Sequence, residues 1–446
     1  AGGAAGKGAA GAEGGAGAAG AAGAAGMMGA GSPSPTYTCA RELHVATTGS
    51  DAGDGSMGKP FKTISKVTPM AKPGDCVQVH AGTYAEGSTI AFATDGTLAA
   101  PIVLRSADGK LKAVIDATTN RTGETVLVRN DYVVVDGFEF VGTPMDTEEQ
   151  VVHFDGLNVG KGTGSVLRNC KLTAGYDTIK VNENSSGITV EGNEIYGSFQ
   201  HLPVSLTGAS NFVFRGNFGH DWTLNGDGAI QLKGGSHDAL FEGNVFQDVH
   251  TVAGTLALGD SCDSTCDIDP QHYAAVRARA VDNVFVRVGR AFDAQGCKDC
   301  AILSNTIVDS GVGNVIFKLT SATTNGVSTT TSGARILDNL VSNAAGNAGG
   351  RVVQINTGAD AGLQMDYNLV WNGGQAVTWG DGHPSTADAH SVTMDPELGS
   401  APSFTLGAGS AAIGAGTNLF SDVPIDFMGL ARPMTGPFDI GAYEAR

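Results

Sequence analysis

Short apolar runs recur along this 446-residue chain, and each carries one or two polar residues that strand alternation would turn outward. In YDTIKV, Ile179 and Val181 take the inward places, which leaves Thr178 and Lys180 facing out. The same reasoning turns out His153 in VVHF, Ser205 in LPVSL, Gln231 and Lys233 in AIQLK, Asp293 in AFDA and Lys318 in VIFKL. If these strands stack, His153, Lys180, Ser205, Gln231 and Lys233 share one face. A lysine there can act as a base toward a proton beside a carboxylate, while cations or calcium neutralise that carboxylate. Lys180, Lys233 and His153 are therefore the catalytic candidates, and Ser205, Gln231 and Lys318 the candidates for holding a carbohydrate. Asp177, Asp227 and Asp238 stand near strand ends as possible calcium ligands. No repeated DD or D-x-D pattern nominates the carboxylate pair that glycoside hydrolysis requires.

The loop GDSCDSTCDIDP adds Asp260, Asp263, Asp267 and Asp269. Hard oxygen donors in a stapled loop suit calcium, although EF-hand spacing is absent and a solvated acidic turn explains them equally well. The seven cysteines are Cys39, Cys76, Cys170, Cys262, Cys266, Cys297 and Cys300. Cys39 and Cys76 flank the first two expected strands and can pair across an N-terminal cap. CDSTC and CKDC have spacings that suit zinc in a reducing compartment and disulfides in an oxidising one. Cys262–Cys266 with Cys297–Cys300 is the favoured pairing and the two crossed pairings stay open. Cys170 is left over as a small buried thiol.

The elements that must position these residues come from an internal repeat. VLRNCKL, ITVEGNEIYGS, FVFRGNFGHD, ALFEGNVFQDV, VDNVFVRV, AILSNTIVDS, RILDNLVSN and QMDYNLVWN each centre on an asparagine: Asn169, Asn193, Asn217, Asn244, Asn283, Asn305, Asn339 and Asn368. An apolar residue stands three places before each, from Val166 to Met365. Short alternating strands at a period of 22 to 39 residues, separated by Gly/Asn/Asp turns, read as coils of a solenoid. The expected fold is all-β, a single parallel β-helix with asparagine amides stacked as a ladder at one corner. Glu191, Arg215 and Glu242, two places before successive ladder residues, read as a structural stack of alternating charge.

Two further stretches carry a resemblance. LHVATTGSDAGDGSMGKPFKTISKVTPMAKPGDCVQVHAGTYAE, residues 43–86, resembles the opening segment of secreted right-handed parallel β-helix proteins, the group that includes polysaccharide lyases. In that group the stretch around KPFKTISKV forms a short capping helix. The exit, DPELGSAPSFTLGAGSAAIGAG followed by PFDIGAYEAR, resembles the closing segment of bacterial surface β-helix proteins. The resemblance implies a right-handed coil over roughly residues 40–446, closed at both ends, on a fold that hosts lyases, hydrolases, adhesins and inert surface proteins. The expected divisions are a tail and linker (1–36), an N-terminal cap with first coils (37–110), the β-helix body (111–390) and a closing segment (391–446).

The tail has a period of its own, with glycines at Gly8, Gly11, Gly14, Gly17, Gly20, Gly23, Gly26 and Gly29. Such a period suits close packing of extended threefold chains, whereas a spacer needs only softness. A net charge of -18 argues against nucleic acid and acidic membranes as partners. No apolar run is long enough to span a bilayer, and the content suits a secreted or cell-surface bacterial-type protein. These features favour a structural β-helix protein that self-associates through its tail, with the glycines as assembly positions. The alternative is a secreted lyase or binding protein for an acidic polysaccharide, assisted by calcium if it is an enzyme.

Overall fold

The computed structural model describes residues 36–445 apart from 117, 119–122, 143–149, 156–161, 174, 200, 225–227, 252, 264–265, 312–314, 343–350, 385–386 and 402. The glycine repeat at 8–29 and Asp227 lie outside the described residues. Each coil visits three sheets in turn. One runs Val166–Arg168 in the first sheet, Lys171–Thr173 in the second and Asp177–Val181 in the third, then re-enters the first at Thr189–Glu191. Among the described residues the sheets hold twelve, eleven and twelve strands, the third counting one hairpin partner. Their ladders are parallel except in that hairpin, Phe317–Thr324 with Val327–Thr330. The chain is a right-handed parallel β-helix.

Register explains the core. One inward row of the first sheet reads Leu167, Val190, Phe214, Phe241, Ala280, Ile302, Ile336 and Met365, each the partner of the next and each buried. In the second sheet the row Leu172, Ile195, Gly219, Phe246 has a gap at Gly219, and the Trp222 indole fills it from a bulge further along its strand. A Cβ on Gly219 would lie 2.4 Å from that ring. The buried indole N–H donates to the Ile195 carbonyl at 2.7 Å.

The corner between the first and second sheets carries the amide ladder. Side-chain amides of Asn193, Asn217, Asn244, Asn283, Asn305 and Asn339 each donate to the Oδ1 of the next asparagine, ending at Asn368, over 2.8–3.1 Å. The same Oδ1 atoms accept a backbone N–H from the coil before. Asn169 is not a rung. The backbone N–H of Cys170 donates to Asn193 Oδ1 at 2.9 Å, so the ladder place in that coil belongs to the buried free Cys170, and Leu167 rather than Val166 is its inward residue. Asn169 takes the preceding place, at φ 55°, where later coils have Gly192, Gly216 and Gly243 at φ 57–62°. Asparagine suits both the left-handed turn and the ladder, which is why the sequence misleads by one residue here.

At the N-terminal end the helix Ile64–Val67 and the 3-10 turn Thr68–Met70 cover the first coil, with Ile64 and Val67 buried. Buried Glu86 accepts the N–H groups of Ile64 and Ser65 at 2.8 and 3.1 Å, which satisfies the donors that a helix start leaves open. At the other end Leu363, Val377, Trp379 and Ala387 pack against the core. Val392 still bridges Leu369 on the last coil, and the segment beyond it does something different from the end closure expected of it. It lies along the side of the helix as a strap: Phe404, Phe427 and Tyr443 cover Phe218, Val245 and Val284 outside the second sheet, while Leu419, Val423 and Phe438 cover Val281, Leu303 and Leu337 outside the first.

The disulfides are Cys39–Cys76, Cys262–Cys266 and Cys297–Cys300. Burial pushes the Cys170 thiol up to about 12, which keeps it protonated and unreactive.

Candidate functional site

The third sheet supplies the candidate face. Its register pairs His153 with Lys180, Lys180 with Ser205 and Ser205 with Gln231, and the row continues through Ala257 and Asp293 to Lys318. Six of the residues expected to face outward thus fall on one line with Ala257, one residue per coil. Lys233 stands two places beyond Gln231, opposite Thr207. Thr178, expected outward, is fully buried. Asp177 is buried too, and its carboxylate accepts from Lys180 Nζ at 3.2 Å and contacts His201 Nδ1 at 2.6 Å.

The charged groups on this face are paired, with one exception among the described residues. Lys180 also donates to Ser205 Oγ at 3.0 Å, and His201 stacks on Tyr176 at 4.8 Å between ring centres. Burial works to raise the Asp177 carboxyl, but the hydrogen bond from His201 and the charge of Lys180 outweigh it and hold it below its ordinary value. His153 Nδ1 lies 3.1 Å from Glu124, whose carboxyl is lowered by that contact, and Nε2 is buried without a partner among the described residues. Farther along, Arg290 donates to Asp293 at 2.6 Å and Lys318 lies 3.7 Å from it. Burial raises the Asp293 carboxyl despite both cations. Lys233 is the exception: among the described residues its ammonium has no hydrogen-bond or ion-pair partner. Burial, and then the charge of Lys180, lower it below the usual lysine range against the pull of Asp177, Asp260 and Asp263. Sequence reasoning missed Glu124, His201 and Arg290, which stand at strand ends or in turns where alternation gives no direction.

The four loop aspartates do not converge into a calcium site. Asp260 accepts from Gln231 and from the Ser261 N–H, Asp267 contacts His272 at 2.5 Å, and Asp269 accepts the Tyr273 N–H at 2.8 Å. Among the described residues, three potential metal donors meet at Cys262, Asp263 and Cys266, where the sulfurs are already joined. Asp238, in turn, is gripped by Arg277 through two hydrogen bonds of 2.7 and 2.6 Å and lowered to about 2 by them. These residues offer calcium no cage, so no chemical step is assigned to it.

Residues 43–248 match a family model described as the Pel9A-like, right handed beta helix region. That region of the chain is similar to the Pel9A-like right-handed β-helix. Pectate lyase PEL9 of Emericella nidulans is 28% identical over 116 residues, which are 26% of this chain and 23% of that protein. YwoF of Bacillus subtilis is 32% identical over 88 residues, 20% of this chain and 18% of that protein. The matches thus span less than a quarter of these relatives' own lengths. Among solved structures, the PL6 family polysaccharide lyase Pedsa3628 from Pseudopedobacter saltans superposes with a TM-score of 0.52 at 12% identity, covering 86% of this chain and 98% of that one. XylC in complex with xylose gives 0.55 at 12% identity over 91% and 98% of the two chains. The GH136 lacto-N-biosidase from Eubacterium ramulus gives 0.51 at 14% identity over 79% and 67%. At such identities these structures show a shared fold alone.

The likenesses favour a polysaccharide-lyase-like β-helix over a fibre assembled through the glycine tail. No helix among the described residues is long and apolar enough to cross a membrane.

Proposed function

We propose that the chain is a secreted lyase that cleaves an acidic polysaccharide by β-elimination on the outer face of the third sheet. Lys233 carries this reading: it is a shielded lysine with no partner among the described residues, on the same face as Lys180, Ser205 and Gln231. Burial and the charge of Lys180 move this amine below the usual lysine range, which shifts it toward the proton-accepting form that a general base needs. In the reaction the Lys233 amine takes the proton from the sugar carbon beside the carboxylate. The freed electron pair forms a carbon–carbon double bond as the glycosidic C–O bond on the next carbon breaks, and the departing oxygen takes up a proton. Lys180, steadied by Asp177 and Ser205, presents positive charge to the uronate carboxylate. The Pel9A-like match and the pectate lyase relative support a uronate substrate.

The test is the rise in ultraviolet absorbance from unsaturated uronate products on a panel of pectic and other acidic polysaccharides. Lys233→Met should lower the rate about 10²-fold or more while the circular dichroism stays that of the parent. Full activity in Lys233→Met, or no product from any uronate polymer, would refute the assignment.

A further inference from the structure

We infer that the third-sheet face holds a second uronate of the same polymer at Lys318 and Arg290, several sugars away from the bond cleaved beside Lys233. The inference rests on the reading of that face as a uronate-binding surface, and binding tests it without cleavage.

Charge is arranged along this face in two like groups. In the first, Lys180 and Lys233 stand by the buried carboxylate of Asp177, which accepts from Lys180 Nζ at 3.2 Å, and Asp260 and Asp263 also act on Lys233. In the second, Arg290 and Lys318 stand by the buried carboxylate of Asp293. Arg290 donates to its Oδ2 at 2.6 Å, and Lys318 Nζ lies 3.7 Å from the same oxygen, farther than a hydrogen bond reaches. The other oxygen, Asp293 Oδ1, is buried with no partner among the described residues, and burial raises this carboxyl. Two cations thus face one carboxylate whose charge is itself disfavoured. On the first sheet, by contrast, Arg168 meets Asp136 at 2.9 Å and Arg215 meets Glu191 at 2.7 Å, one cation to one acid.

Exposure decides which of these atoms can meet a ligand. The side chains of Lys180 and Lys318 are 15% and 24% exposed, whereas Ser205, Gln231, Ala257 and Asp293 on the coils between them are buried. The two ammoniums therefore rise at either end of a floor that is otherwise closed to solvent.

The spacing suits a polymer with a carboxylate on every unit. Register puts Lys318 five coils beyond Lys180 and three beyond the coil of Lys233. At the strand spacing of a sheet these steps amount to about 24 Å and about 14 Å. A pyranose linked head to tail advances by roughly one such step, so Lys318 meets a sugar several units from the cleaved bond. On a chain of net charge -18, local cations of this kind are what hold a polyanion. A neutral glycan offers Lys318 no such partner.

The test is calorimetric binding, with Lys233→Met in every protein so that the probes stay intact. Hexagalacturonate should bind at least about 10-fold more tightly than trigalacturonate, which is too short to reach from the cleavage point to Lys318. Adding Lys318→Met should weaken the hexamer about 10-fold and leave the trimer within about twofold, while Lys318→Arg should keep the hexamer within about threefold. Equal affinity for the two probes would overturn the subsite. So would an equal loss for both in Lys318→Met, since a lysine with a purely structural role acts on each alike. Binding of the hexamer that depends on Lys318, in a protein whose parent releases no unsaturated product, would sink the lyase reading and leave the subsite standing. Lyase activity in the parent with a hexamer affinity indifferent to Lys318→Met would do the reverse.

Discussion

At the scale of single residues, two asparagines of the same repeat do different work. Asn193 is fully buried, donates to the Leu167 carbonyl and to Asn217 Oδ1, and accepts the Cys170 N–H. Asn193→Ala leaves these groups without partners and should destabilise by about 2–4 kcal/mol, since a buried polar group stripped of its partner loses its full solvation. Asn169 sits at φ 55° and donates one side-chain bond to Asp136. Asn169→Gly relieves the left-handed backbone and should change stability by less than about 1 kcal/mol. Urea denaturation of the two variants checks the register. Equal losses would mean that Asn169 is a rung after all. The repeat was legible from sequence because the ladder needs the same amide on every coil. The first rung was not, because a turn residue of identical type stands next to it.

At the scale of elements, the strap is the part that sequence described least well. Its docking rests on a buried charge cluster: Arg432, fully buried, donates to Asp282 at 2.7 Å, to Glu444 at 2.5 Å and to the Gly441 carbonyl at 2.9 Å. Beside it, Asp338 accepts the Thr417 N–H at 2.9 Å. One guanidinium thus faces several carboxyls, and burial raises those of Asp282, Glu444 and Asp338, the last to about 7 against an ordinary 3.8. A carboxyl raised on folding makes the folded state hold its proton longer than the unfolded chain does. The contribution of Asp338 is therefore complete below pH 3.8 and is lost as pH rises toward 7. The full span is worth at most about 4 kcal/mol. Stability against urea should fall between pH 5 and pH 8, to the extent of about 2 kcal/mol, and Asp338→Asn should flatten the slope. An unchanged slope in that variant would exclude Asp338 as its source. Sequence could not show this, because the strap's apolar residues are isolated among turns and find their partners only on the outer rows of two sheets.

At the scale of the whole molecule, charge and function pull in opposite directions. The chain has a net charge of -18, yet the proposed substrate is a polyanion. Long-range repulsion opposes encounter and is screened once the Debye length falls to about 10 Å near 0.1 M salt. The KM for a uronate polymer should therefore fall severalfold as ionic strength rises from about 0.01 to 0.15 M, with kcat nearly constant. A KM that climbs steadily with salt would show instead that the local lysines dominate encounter.

Sequence by itself determined the coil. The two-residue alternation says which side chains face inward, and the asparagine period says where each coil turns, since both are local properties that parallel stacking repeats unchanged. It also placed His153, Lys180, Ser205, Gln231 and Lys233 on one face, because register carries a residue's direction from coil to coil. Only the tertiary structure decided that Asp177 holds Lys180, that Lys233 has no partner among the described residues, that Asp267 meets His272 and Asp269 the Tyr273 N–H, and that the last segment runs along the side of the helix. Each of these depends on contacts that strand alternation does not encode, and such contacts leave no period in the sequence.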